Sequence, residues 1–389
     1  MAVTFRNLPK GSTIGSGSYV FRHYGDETPA VVIPDLCFTS EEAGSTVAMA
    51  VTGTPTKGQA FEYSTDGVVW SVFTPGTTTI TLVNVGDKVY FRGDNTTVSE
   101  SSSIYYKFVM SGKIAASGNI MSLLDKTCRS TTISNAYCYN GMFRDCTSLT
   151  TAPALPATTL KNSCYRYMFY GCTSLTTAPA LPATVLEDSC YYYMFYGCTS
   201  LTTAPSLPAT TLASNCYCYM FYSCISLTTA PALPATTLEN SCYNYMFNGC
   251  TSLTTAPALP ATVLANSCYN SMFHGCTSLT TAPSLPATTL ASNCYNSMFY
   301  SCTSLTTAPA LPATVSAKNC YAYMFYNCTR LQVYSSSGTG HTEAWRIPTS
   351  GSASPYTSQS KMFYNCPGSY KKASSVSINT TFYTQNTPV

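Results

Sequence analysis

The amino-acid sequence predicts a mixed α/β solenoid, with one short helix and one short parallel strand per unit, preceded by a small antiparallel β-sandwich. Three observations carry this expectation. The dipeptide Met-Phe begins at Met142, Met168, Met194, Met220, Met246, Met272, Met298 and Met324, each 26 positions after the last. A ninth copy, Met362-Phe363, follows Met324 after a longer interval, so an insertion interrupts the last repeat. Ahead of the array, short alternating runs separated by turn residues read as an antiparallel domain. A fixed period of this length marks a solenoid, because one unit cannot bury its own apolar face and must stack on neighbours.

These signals divide the chain into an N-terminal arm (1–36), a β-sandwich domain (37–112), a junction that seals the first rung (113–127), the array (128–331), and an atypical last repeat with a C-terminal cap (332–389). Within the sandwich segment, strand-like runs fall at 46–52, 60–64, 68–73, 78–83, 88–92 and 104–110. Asp66-Gly67 sits between two such runs and signals a two-residue hairpin. Trp345, Ile347 and the final run 377–385 are the expected cap, since an open solenoid edge must be covered.

One unit, starting at Cys164, reads CYRYMFYGCTSLTTAPALPATVLEDS. Its Cys164, Tyr165, Met168, Phe169 and Cys172 fall at i, i+1, i+4, i+5 and i+8, one face of a two-turn helix. Asn162 or Ser163 would cap its start and Gly171 would end it. Leu175, Ala178 and Leu181 then read as an extended segment whose pairing must be short, because Pro179 and Pro182 have no N–H to donate. Leu186 is expected to tuck the return loop into the core.

Twenty cysteines stand in the chain, mostly two per repeat. A helix would set Cys164 and Cys172 roughly 12 Å apart, beyond the roughly 4.4–6.8 Å Cα separation of a disulfide. Both cysteine columns are therefore expected to be buried thiols filling space. No CxxC pair occurs, which argues against a zinc ladder, and no cofactor is expected.

Charged residues make up 9% of the chain and the net charge is +3, with cations scattered. That distribution argues against a nucleic-acid partner. No apolar stretch reaches the length of a membrane span, so membrane insertion is not expected. The first twenty residues carry no apolar h-region. Export as part of a virion assembled in the cytoplasm is the simplest expectation. Catalysis is not expected either: His23, His274 and His341 lie in unrelated segments, and acids within the array are almost confined to Asp145, Glu187, Asp188 and Glu239.

The repeat resembles the BspA-like leucine-rich repeats, in the variant whose units carry MFxxCxSL followed by a proline-containing strand. The combination with the GNIMSLL junction and a C-terminal WRIP/SINTT segment resembles proteins of gut Bacteroidales and of their tailed phages. STDGVVW resembles a shortened Asp-box hairpin, in which Asp66 and Trp70 would only shape a turn. The first two resemblances imply a non-enzymatic recognition or decoration protein on a virion surface or fibre. It would be anchored to a virion structural protein through its N-terminal region and meet a host-surface polysaccharide or protein. The alternative is a bacterial cell-surface adhesin with an extracellular location. A homo-oligomer is compatible with either.

Candidate binding residues lie where repeats diverge. The strand segments scarcely do, reading LTTAPAL or LTTAPSL throughout, and could meet only an equally repetitive ligand. The helical side varies more. Arg166 and Tyr192 belong to a column expected to face solvent, with Cys218, Asn244, Asn270, Asn296 and Ala322. Tyr167, Tyr193, Tyr219 and Tyr245 stand beside it. A further column holds Tyr170, Tyr196, Tyr222, Tyr300 and Tyr326, interrupted by Asn248 and His274. Exposed tyrosines suit recognition surfaces, including ones that stack on sugars. The same rings could equally stack on one another and shield the core.

Overall fold

The computed structural model describes residues 34–309, 311–313, 315–331, 350–351 and 361–366. The expected arm over 1–33 and the expected cap residues Trp345, Ile347 and 377–385 lie outside the described residues. Nine strands precede or open the array: β1 Leu36–Ser40, β2 Ser45–Thr52, β3 Phe61–Ser64, β4 Ser71–Phe73, β5 Thr79–Leu82, β6 Lys88–Gly93, β7 Tyr105–Ser111, β8 Ile114–Ser117 and β9 Leu149–Thr151. Later come β10 Val315–Ser316 and β11 Ser350–Gly351, which pair in parallel.

Two sheets form the first part of the molecule. One runs β5-β2-β7, the other β4-β3-β6-β1-β8-β9. Alternation explains them. In β2 every second side chain from Ser45 to Met49 is buried, and in β6 Val89, Phe91 and Gly93 point inward. Phe38 on β1 meets Phe108 on β7 edge-on at 4.7 Å between ring centroids, and Phe91 meets Phe108 at 5.1 Å, so aromatic packing joins the two sheets. β1 escapes the alternation rule because Leu36, Cys37 and Phe38 are all buried.

The β3–β4 connection differs from a two-residue hairpin. Pairing stops at Tyr63↔Ser71, leaving a longer loop. The Asp66 carboxylate organises it, accepting from the backbone N–H groups of Val68 and Val69 at 2.8 Å each and from the Ser64 hydroxyl at 2.8 Å. Those bonds hold its carboxyl below the usual carboxylate range. Trp70 lies under the Arg92 guanidinium at 3.7 Å.

β8 joins this part to the array: it pairs antiparallel with β1 and parallel with β9 of the first rung. A 3-10 turn over Ile120–Leu123 follows, its start capped by the Asn119 side chain accepting from Met121 N–H. From there single parallel bridges continue the sheet: Thr151↔Thr177↔Thr203↔Thr229↔Thr255↔Thr281↔Thr307. Prolines two and five residues beyond each bridging threonine, such as Pro179 and Pro182 after Thr177, have no N–H to extend the ladder on that side.

The expected helix is absent. In its place each rung makes consecutive tight turns, with positive φ at every fourth residue: Ser163 (55°), Tyr167 (55°) and Gly171 (70°) in the rung starting at Cys164. The hydrogen bonds alternate strictly. Cys164, Arg166, Met168, Tyr170 and Cys172 donate within the rung to the carbonyl three residues back. Ser163, Tyr165, Tyr167, Phe169 and Gly171 donate across to the next rung, to Asp188, Cys190, Tyr192, Met194 and Tyr196, at 2.8–3.0 Å. Half of the N–H groups thus close turns and half staple neighbours, so this backbone is satisfied without helix or regular strand.

The turn spacing also corrects the periodicity argument. Cys164, Met168 and Cys172 recur at every fourth position, as do Tyr165 and Phe169, and a true helix repeats at about 3.6. Over two turns the two periods point nearly the same residues inward, so the apolar pattern alone does not separate them. The left-handed positions do, because a helix interior has no place for them.

The core is a set of columns. Phe143, Phe169, Phe195, Phe221, Phe247, Phe273, Phe299, Phe325 and Phe363 stack with centroids 5.2–5.8 Å apart. Tyr139, Tyr165, Tyr191, Tyr217, Tyr243, Tyr269, Tyr295 and Tyr321 form a second buried pile. All twenty cysteines are buried. The later cysteine of each rung makes a recurring contact. Cys172 Sγ donates to Phe143 O at 3.0 Å, and Cys198, Cys224 and Cys250 repeat this bond one rung apart.

Candidate functional site

The left-handed positions shape the variable face. Tyr167, Tyr193, Tyr219 and Tyr245 all adopt φ of 55–57°, as does Tyr323 at 56°. A non-glycine residue there costs about 1–2 kcal/mol, which the surrounding stack must offset. The corner turns these side chains away from the Met and Phe columns and lays them against their neighbours along the array.

The arrangement brings most of the sequence-predicted residues into one strip. Tyr193 stacks on Tyr219 at 4.4 Å and Tyr219 on Tyr245 at 4.6 Å, nearly parallel. Tyr170 stacks on Tyr196 at 4.7 Å and Tyr196 on Tyr222 at 4.6 Å. Tyr167 tilts against Tyr193 at 5.2 Å, and Tyr192 packs edge-on against Tyr193 at 4.4 Å. Arg166 sits at one end, its guanidinium 4.9 Å from the centroids of both Tyr167 and Tyr192, with Nη2 donating to the Tyr167 hydroxyl at 3.3 Å.

Tyr300 and Tyr326 do not join this strip. They stack on each other at 4.6 Å, with His274 against Tyr300 and Tyr364 against Tyr326. Asn248, 7% exposed, occupies the intervening place and breaks the pile. Burial lowers the His274 pKa, keeping that imidazole neutral.

Two corrections follow for the column expected to face solvent. Cys218 and Ala322 are both buried, 2% exposed, and the remaining members are half-buried. The turn directs that column along the flank of the stack, where a helix would have pointed it outward.

A further change concerns ring faces. Interior members such as Tyr196 and Tyr219 have a parallel ring on each side, so both faces are covered. What these rings offer to solvent is edge and hydroxyl. The two readings left open by the sequence therefore combine: the rings stack along the array, and the same strip carries a row of phenols. Burial raises the pKa of Tyr192 and Tyr196 and lifts Tyr219 to about 12, so these phenols stay protonated donors near neutral pH.

Sequence reasoning missed Arg144, whose guanidinium lies 5.1 Å from the centroids of Tyr167 and Tyr170. The signal was present: Arg144 stands one full repeat before Tyr170, in the same column. Tyr364 was likewise hidden by the longer last interval. Arg144 contacts Asp145 at 3.7 Å, and Asp145 also receives Lys107 at 3.5 Å.

The threonine face is already occupied with itself. Hydroxyls of Thr176, Thr202, Thr254 and Thr306 donate to the carbonyl one rung back at 3.3–3.5 Å. Among the described residues no group of three His, Cys, Asp or Glu could hold a metal ion, and no helix is long and apolar enough to cross a membrane.

A family model described as BspA type leucine rich repeat region matches the array in six copies, over residues 130–254, 162–306 and 240–342. No curated protein and no solved structure matches the chain.

Proposed function

Because the chain belongs to the BspA-type leucine-rich repeat family, we propose that it is a non-enzymatic surface recognition protein whose tyrosine strip attaches it to host-surface glycans. Repeats of this type suggest a surface or adhesion role. The observation that carries the glycan reading is one continuous aromatic strip in the first half of the array, separated by Asn248, Asn270, Ser271, Asn296 and Ser297 from a smaller cluster of Tyr300, Tyr323, Tyr326 and Tyr364 at the far end. From Tyr167 to Tyr245 the variable face is tyrosine-rich, whereas the later rungs place Asn270, Ser271, Asn296 and Ser297 at the same columns. The buried Cys, Tyr, Met and Phe columns run unchanged through both halves, so they do not require the difference. A row of protonated phenols suits a hydroxyl-rich polymer, because each can donate to and accept from a sugar.

Display on a virion, with the N-terminal region as anchor, is the finer form of this proposal; display on a bacterial cell is its rival. Capsid and tail genes beside the coding sequence, and the protein's presence in purified particles, would support the virion. A secretion operon in their place would oppose it.

The binding claim is tested on a glycan array with Tyr193→Ser and Tyr196→Asn, replacements that the chain already uses at Ser271 and Asn248. Both variants are expected to fold, since those rungs stack normally. We expect the double variant to lose roughly thirtyfold in apparent affinity, in line with two polar contacts of about 1 kcal/mol each. Unchanged binding in the double variant would remove the strip from the recognition surface.

A further inference from the structure

Charge is unevenly distributed over the strip. Arg144 shares the Asp145 carboxylate with Lys107. Arg166, by contrast, makes no ion pair among the described residues. Its Nε is buried without a hydrogen-bond partner. Two tyrosine rings clamp its guanidinium at 4.9 Å and limit its freedom to swing toward a distant acid. A guanidinium fixed in this way, with donors in a planar fork, matches a carboxylate better than a hydroxyl.

The ring geometry points the same way. An aromatic ring is electron-rich on its faces and electron-poor at its edge. Stacking covers the faces of Tyr196 and Tyr219, so the strip presents edges and phenol donors. Such a surface disfavours face-to-face sugar stacking, one of the two readings the sequence leaves open, and favours acceptor-rich, negatively charged groups. At this end Lys107 and Arg144 both pair with Asp145, and the Glu187–Asp188 acids of the next rung, whose Asp188 carbonyl accepts from Ser163 N–H, form no ion pair with Arg166 among the described residues.

We infer that the strip selects acidic glycans, with Arg166 seating a sugar carboxylate at one end while the phenol row hydrogen-bonds the following sugars. This rests on the proposed glycan attachment and names its substrate class. A uronic-acid polymer and a polymer with carboxylate side groups share the recognised chemistry.

The test measures binding of the full chain to polygalacturonate, to the same polymer methyl-esterified, and to neutral dextran, for wild type and R166Q. Polygalacturonate is expected to bind wild type roughly tenfold more tightly than its ester, and added salt should shrink the difference. R166Q should lower the affinity for polygalacturonate to that for the ester, so that the preference disappears. Equal binding of acid and ester to wild type, or a preference that survives R166Q, overturns the acidic-glycan inference. In that event tyrosine-dependent binding of the ester or of dextran would leave the attachment proposal standing. Binding of none of the three polymers would overturn the acidic-glycan inference, and the glycan array would then decide the attachment proposal.

Discussion

At the scale of single residues, the buried tyrosines show how similar side chains play different parts. Tyr139, where the pile begins, donates its hydroxyl to Ile120 O at 3.1 Å. Tyr165, Tyr191 and Tyr269 carry equally buried hydroxyls with no partner among protein atoms. A buried donor without an acceptor costs about 1–3 kcal/mol, whereas a satisfied one contributes about 1 kcal/mol. Tyr139→Phe is therefore expected to destabilise the protein by about 1 kcal/mol, and Tyr191→Phe to leave stability unchanged or raise it. Urea unfolding of the two variants compares them directly. A larger loss for Tyr191→Phe than for Tyr139→Phe would show that the inner hydroxyls are bonded after all.

Individual elements here are tight turns, and their requirement is conformational. The residue closing each rung's last turn is Asp145, Gly171, Gly197, Ser223, Gly249, Gly275, Ser301, Asn327 or Asn365, every one at positive φ. Glycine adopts that region freely and Asn or Asp tolerates it better than other side chains. Gly197 isolates the effect, because a Cβ there would meet nothing within 4 Å and only the backbone at φ +69° would object. Gly197→Ala should cost about 1 kcal/mol. Gly197→Asn should cost less. Thermal melts of both variants read the order, and an alanine as stable as glycine would contradict the turn geometry. This requirement explains why the apolar pattern points to a helix that does not form. Cys164, Met168 and Cys172 are legible as an inward row, but Gly171 reads equally well as a helix stop or as a turn corner.

For the molecule as a whole, the array behaves as one stack that begins inside the sheets. Phe108 on β7 stacks on Phe143 at 5.4 Å, and its carbonyl accepts from Cys146 Sγ at 3.1 Å, as rung carbonyls do further on. β7 thus serves as a template for the first rung, and the thiol column extends the same contact through the array. Burial pushes Cys164, Cys242 and Cys250 to about 12, from an ordinary value of 9.0. A raised folded-state pKa means that the folded state holds its proton more tightly than the unfolded chain does. The resulting stability is complete below about pH 9 and is lost as pH rises towards about 12. At Cys250 ionisation would also remove the S–H donor that the Phe221 carbonyl accepts. We expect the melting temperature to be level between about pH 6 and 8 and to fall steeply above about pH 9. Scanning calorimetry across that range checks it, and a melting temperature that stays level to about pH 11 would mean the thiols are not confined as described.

Much of this was carried by the chain itself. The repeat length, the inward columns of Cys, Met and Phe, the six strand runs that hold β2 to β7 and the tyrosine columns follow from residue identity and spacing, because burial selects apolar side chains wherever the register places them. Tertiary structure decided what spacing alone leaves degenerate. Whether an N–H closes a turn or reaches the next rung depends on a neighbour almost a full repeat away, and that choice replaced the helix with stapled turns. It also buried Cys218, covered the tyrosine faces and left Arg166 without an ion pair among the described residues, because each of these depends on the residue beside it in the stack.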